Sequence, residues 1–201
     1  APLDQDHRVF TNGSFAEASF RPMEPVKLVG GYRYETHSLY GHEDVLRYGL
    51  VFTPLAETVL KFNRGQHFKA PTMNDLFWPD DGFTKGNPDL RPETGWHTDL
   101  TVEQGLLAGK LFTSLSWFQW DISDKINWSE DPSLPDAFGY GNYWTPANLD
   151  DFRATGWEAS VKIGPYYSLL AELALTLVDA EEELAAGVSR PARYSPDTLL
   201  K

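Results

Sequence analysis

Apolar and polar residues exchange places at every second position along most of this chain. In "VKLVGGYRYET", Val26, Leu28, Tyr32 and Tyr34 share one parity, and Lys27, Arg33 and Glu35 the other. "VLRYGLVFT" sets Leu46, Tyr48, Leu50 and Phe52 against Arg47, Gly49 and Thr53. "ETVLKFNRG" sets Thr58, Leu60 and Phe62 against Lys61 and Asn63. In "GWHTDLTVEQ", Trp96, Thr98, Leu100 and Val102 oppose His97, Asp99, Thr101 and Glu103. "TGWEASVKIG" repeats the pattern, with Trp157, Ala159, Val161 and Ile163 against Glu158, Ser160 and Lys162. Successive side chains of a strand point to opposite faces, so this period marks strands with one apolar and one polar face. An all-β, antiparallel fold is expected. "KLFTSLSWFQWDISDKINW" (110–128) contains no Gly or Pro and reads as one nearly unbroken strand. "LLAELALTLVDAEEELAA" has a helical composition, but Leu169, Ala171, Leu173, Leu175 and Leu177 alternate with Glu172 and Thr176, which favours a strand over 167–180.

The connections sharpen this into a topology. "RPMEP" (21–25), "TPLAE" (53–57), "QGLLAGK" (104–110) and "GPYY" (164–167) read as short turns. "HSLYGHED" (37–44), the Pro- and Asp-rich stretch after His67, and "SEDPSLPDAFGYGNYWTPANLDD" (129–151) read as long loops, and "EEELAAGVSRP" (181–191) as intermediate. Short and long connections are thus expected to alternate strictly. Successive turns of an up-and-down meander lie at opposite ends, so one rim is trimmed and the other elaborated. Outer-membrane barrels have this layout. The most apolar stretch, "YSLLAELALTLV", carries Glu172 and is far too short for a membrane helix. A barrel strand needs only about ten residues of alternating character.

Composition removes other classes. A net charge of -12 without a Lys/Arg cluster argues against nucleic acid and against an anionic-lipid patch. The chain is 41% hydrophobic and 14% aromatic, which argues against disorder. Cysteine is absent, which excludes a disulfide framework, a thiolate zinc site and a cysteine nucleophile, and leaves the compartment open. "APLDQDHRVF" has neither a basic nor an apolar leader region and reads as no signal peptide.

Four ordered segments carry a resemblance. "FKAPTMNDLF" (68–77) contains Phe68, Ala70 and Pro71; "GNPDLRPETGWHTDLTVEQ" (86–104) contains Asn87, Pro88, Leu90, Pro92 and Glu93. "FQWDISDKI" (118–126) centres on Asp121, and "NLDDFRATGWEASV" (148–161) contains Gly156 and Glu158, with Trp157 where an aliphatic residue is usual. Together they resemble the TonB-dependent outer-membrane receptors, from about residue 60 to the end. The resemblance implies a section of a transmembrane β-barrel, about eight or nine strands across residues 1–201, with the plug domain and the closing strands absent. It implies the bacterial outer membrane as location, with outer-membrane lipid and a scarce small-molecule nutrient, such as a siderophore or cobalamin, as partners. TonB would be met only through the missing plug region, no nucleic acid or cofactor is implied, and the open strand edges invite self-association.

Within that frame, Trp96, Trp117, Trp120, Trp128 and Trp157 are candidates for an interfacial girdle or, in a soluble fold, for core. Lys61, Asn63, His97, Asp99, Glu103, Glu158 and Lys162 would line a wet lumen or, equally, an ordinary solvated face. Phe77, Trp78, Phe83, Tyr140 and Trp144, with the neighbourhood of Tyr143, are the candidates for ligand contact. The competing role for loop aromatics is to pack the loop against itself. His37, His42, Glu43 and Asp44 match no zinc spacing, and "DPSLPD" lacks the ordered ligands of a calcium loop.

No catalytic motif is present, and nothing selects one carboxylate pair over another, so the chain reads as a non-enzyme. A soluble β-sandwich binding carbohydrate or protein is the alternative. Strand order separates the two, since a meander keeps consecutive strands adjacent and a sandwich introduces Greek-key crossings.

Overall fold

The computed structural model describes residues 8–148, 151–184, 188–192 and 196–201. Residues 1–7 of the opening stretch, 149–150 of the fourth motif segment and 185–187 of the 181–191 connection lie outside them. Among the described residues the chain forms β1 (Thr11–Met23), β2 (Val26–His37), β3 (Gly41–Leu55), β4 (Thr58–Lys69), α1 (Met73–Phe77), β5 (Glu93–Leu106), β6 (Leu111–Ser123), β7 (Ile126–Pro135), β8 (Asn142–Asn148), β9 (Phe152–Tyr166), β10 (Leu169–Leu184), β11 (Val188–Pro191) and β12 (Thr198–Leu200).

One antiparallel sheet runs β1-β2-β3-β4-β5-β6-β9-β10-β11, and β12 pairs with β10 further along the edge that β11 uses. Strands β7 and β8 form a separate hairpin inserted between β6 and β9. The main path is therefore a meander of sequential neighbours, and the Greek-key order of a sandwich does not occur in it. The sheet is open. Its long strands, such as the 14 residues of β5 and the 15 of β9, reach well past the length usual in globular sheets. The expected 167–180 strand begins at Leu169, after a turn at 167–168, and it forms despite its Leu, Ala and Glu content because its alternation fits the edge that β9 offers.

Register turns the alternation into two continuous faces. Phe20, Leu28, Leu50, Phe62, Leu100, Trp117, Trp157 and Leu177 are cross-strand partners in turn, so one apolar row crosses eight strands. The row below it runs Val26, Phe52, Leu60, Val102, Leu115, Ala159 and Leu175. On the opposite face, Glu17, Gly31, Arg47, Gly65, His97, Trp120, Ala154 and Ala180 form a row in which large and small residues alternate from Glu17 to His97. Arg47 lies across Gly31 and pairs with Glu17, and a Cβ at Gly65 would run into the His97 ring. Lys61–Glu103 (2.5 Å) and Lys162–Glu172 (3.1 Å) bridge neighbouring strands on this polar face.

Three sequence expectations are corrected. The 110–128 stretch is two strands: Asp124 takes a positive φ of 58°, which a short polar side chain tolerates, and the chain turns there from the sheet into the hairpin. The 37–44 connection is short, because β2 and β3 pair up to His37 and Gly41. His37 stacks on Tyr40 at 4.0 Å and its Nδ1 accepts the Leu39 amide, while Gly41 supplies the positive φ. Short and long connections therefore do not alternate strictly. The sidedness itself remains: 24–25, 56–57, 107–110 and 167–168 lie at one end, and 70–92 and 124–148 at the other. Finally, Trp120 shares the polar face with His97 and stacks on it at 5.1 Å, and Trp128 belongs to the hairpin, so neither joins Trp117 and Trp157 on the apolar face.

Candidate functional site

The elaborated rim carries a folded cap made of the 70–92 loop and the β7–β8 hairpin. It begins with local chemistry. Thr72 caps α1 reciprocally with Asp75: the Asp75 amide donates to Thr72 Oγ1, and the Thr72 amide donates to Asp75 Oδ2 at 2.9 Å. Asp75 then reaches across to the hairpin, where its Oδ1 accepts the Trp128 indole N–H at 2.9 Å. Burial pushes the Asp75 carboxyl up, but the Thr72 hydroxyl and amide and the Trp128 indole outweigh it and hold the group below its ordinary value.

Two further Asp side chains shape turns. Asp81 accepts the amides of Phe83 and Thr84 and the Thr84 hydroxyl, and those bonds keep its carboxyl acidic. Asp136 accepts the amides of Phe138, Gly139 and Tyr140; burial opposes ionisation there, and the amides overcome it. These loops are ordered by side chains that stand in for missing backbone partners.

Backbone pairing fuses the two segments. Thr84 and Trp144 form a parallel bridge, in which the Trp144 amide donates to the Phe83 carbonyl (2.9 Å) and the Lys85 amide to the Trp144 carbonyl (3.2 Å). Below it, Leu76, Leu90 and Pro146 are buried. Asn87 Nδ2 donates to the Pro146 carbonyl. At the base, Glu93 is only 4% exposed; it takes Lys69 Nζ at 2.7 Å and the Ile126 amide at 3.1 Å, with His67 Nε2 3.8 Å away. Asn148 accepts the Arg91 amide and donates to the carbonyls of Arg91 and Asp124.

The expected ligand-contact residues all fall on this cap, in unequal roles. Trp78 donates its indole N–H to Thr84 Oγ1 and meets Trp128 edge to face at 6.3 Å, leaving it 44% exposed. Phe83 stacks on Phe138 at 4.6 Å, and both stay half exposed. Trp144 is also half exposed, Tyr140 is 88% exposed, and Phe77 is partly buried on α1. Tyr143 is buried, with its hydroxyl donating to Asp80 and Lys85 over its ring.

The family-motif residues are framework. Phe68 meets Tyr40 at 5.8 Å, Ala70 and Pro71 lead into the Thr72 cap, Asn87 and Glu93 tie the loop to the hairpin, and Leu90 and Pro92 are buried. Pro88 is exposed at the loop surface. Asp121 lies above the apolar rows, on the same face, paired with Arg153 at 2.7 Å. A Cβ at Gly156 would collide with the Leu177 carbonyl and the Phe118 ring. Glu158 is exposed on the polar face, partnering Ser116.

Sequence reading passed over Phe138, Asp75 and Asp136. The Thr-x-x-Asp spacing at 72–75 and the Asp-Ala-Phe-Gly turn at 136–139 were the available signals. Among the described residues, no group of three or more His, Asp or Glu is placed to hold a metal ion, and no helix is long and apolar enough to cross a membrane. The latter says nothing of strands.

A family model described as "TonB dependent receptor-like, beta-barrel" matches residues 2–199. The chain is 32% identical over 126 residues to the vitamin B12 transporter BtuB of Vibrio vulnificus, covering 63% of this chain and 18% of that protein. It is 28% identical over 197 residues to an iron-regulated outer membrane virulence protein of Vibrio cholerae, covering 92% and 30%. The crystal structure of the siderophore receptor PirA from Pseudomonas aeruginosa superposes with a TM-score of 0.78 at 18% identity, over 88% of this chain and 35% of that one. The chain thus spans about a third or less of the length of these relatives.

Proposed function

Because this chain belongs to the TonB-dependent receptor β-barrel family, we propose that it is a section of the barrel wall of a bacterial outer-membrane receptor that binds and imports a scarce nutrient such as a siderophore or cobalamin. The apolar rows face outer-membrane lipid, the polar face looks into the lumen, and the cap stands on the extracellular side. Phe77, Trp78, Phe83, Tyr140 and Trp144 contribute the ligand contacts. The plug, the contact with TonB and the closing strands come from residues outside this stretch. The section on its own pairs its open β1 and β10–β12 edges with other copies, and it does not bind nucleic acid.

The sidedness carries this reading. An apolar row eight strands wide is a large unsatisfied surface in water and an ordinary one in a bilayer, and the elaborate loops gather at one end of it. Catalysis has no place in this account.

Uptake tests it. A strain lacking the intact receptor should fail to take up the nutrient and regain uptake with the wild-type gene. Joint replacement Trp78→Ala, Phe83→Ala and Tyr140→Ala should lower ligand binding at least about tenfold at unchanged outer-membrane levels. Unaltered binding in that variant would remove the cap from the ligand site.

A further inference from the structure

Resting on the reading that the cap contacts ligand, we infer that it selects a ring-bearing small molecule without net negative charge and disfavours polyanionic chelates. Segments 70–92 and 124–148 contain eight carboxylates and three cations. Each cation is already engaged. Lys85 lies over the Tyr143 ring at 5.0 Å, Arg91 is paired with Asp124 at 2.5 Å, and Lys125 with Glu182 at 2.7 Å.

The carboxylates are hydrogen-bonded mainly by neutral groups. Asp81 and Asp136 accept backbone amides, Asp131 the Ser133 amide and hydroxyl, and Asp80 the Gly82 amide and the Tyr143 hydroxyl. Such bonds come from neutral donors and leave the negative charge uncancelled, so the cap presents a negative field. Interleaved with that field are the half-exposed Phe83–Phe138 stack and the bare Tyr140 ring. Aromatic faces favour rings, apolar edges and cations. A polyanion would meet like charge with no free guanidinium or ammonium on the cap to receive it, which is selection by repulsion. The surface complements a neutral or cationic ring system.

The test uses the intact receptor in native outer membranes at low salt, with cyanocobalamin as the neutral ring probe and ferric enterobactin as the polyanionic one. Wild type is compared with a Trp78→Ala/Phe83→Ala variant and with Asp89→Asn/Glu130→Gln/Asp131→Asn, each checked for outer-membrane level. The expected result is corrinoid binding that falls at least about tenfold in the aromatic variant and is unchanged in the neutralised one. Ferric chelate binding should be at least about tenfold weaker than corrinoid binding and rise several-fold on neutralisation. Chelate binding as tight as corrinoid binding, and lost with the same aromatic residues, overturns the charge inference and leaves the ligand-contact reading standing. If neither probe responds to the aromatic substitutions, both fall.

Discussion

Asn148 and Arg91, 57 positions apart, hold each other reciprocally: the Arg91 amide donates to Asn148 Oδ1 at 2.8 Å, and Asn148 Nδ2 donates back to the Arg91 carbonyl at 2.8 Å. The same Nδ2 reaches the Asp124 carbonyl, so one amide closes the 70–92 loop onto both ends of the hairpin. Asn148→Ala deletes all three bonds. With net values of about 1 kcal/mol per bond, the cap should lose roughly 2–3 kcal/mol of local stability. Hydrogen exchange at the Arg91 and Ile126 amides should accelerate, while amides in the middle of β5 and β6 should not change.

Glu93 is the second tie. Its buried carboxylate serves Lys69 and the Ile126 amide together. Glu93→Ala strands a backbone N–H at the hairpin entry, whereas Glu93→Gln keeps an acceptor there. The expected costs are roughly 1–3 kcal/mol for the first and less for the second. Limited proteolysis of the hairpin in outer-membrane preparations ranks the two.

Strand β5 approaches β6 so closely at Gly95 that a Cβ would collide with the Asp121 carbonyl. Gly95→Ala should force the strands apart just below the cap, an overpacking cost of about 1–3 kcal/mol. Its signature is a lower yield of the folded, heat-modifiable barrel. Gly30→Ala, which meets open space, is the matched control and should assemble normally.

The low-lying carboxyls of Asp75, Asp81 and Asp136 set the pH response of the cap. Each has a folded-state value below its unfolded one. Their stabilisation is therefore fully present above the unfolded value, near 4, and is lost as pH falls through the folded values. Protease resistance of the 129–141 segment should stay flat from neutral pH to about 5 and fall below about 4. Asp75→Asn should flatten that decline and also lower resistance at neutral pH.

Much of the sheet was legible in the sequence because period two is a backbone property that burial on one face makes visible. Leu100, Val102, Trp157 and Val161 announced their face before any register was known. Trp120 misled as a residue type, since tryptophan suits an interfacial belt and a stack on His97 equally. The break at Asp124 was hidden, because positive φ is a choice of one residue that the flanking Ser, Lys and Ile do not betray. The cap was least legible. Its hairpin contains prolines, its helix has five residues, and its order comes from contacts such as Asn148–Arg91 that no local pattern encodes.

The central claim is that this sheet is a membrane wall, with the Leu100 row in lipid. Single nitroxide labels placed at residues 98 to 104 of β5, in the intact receptor in bilayers, report it directly through relaxation by oxygen against a polar nickel chelate. Oxygen contact should dominate at 100 and 102, and contact with the chelate at 99, 101 and 103. Equal access of the polar chelate to both parities would contradict the account.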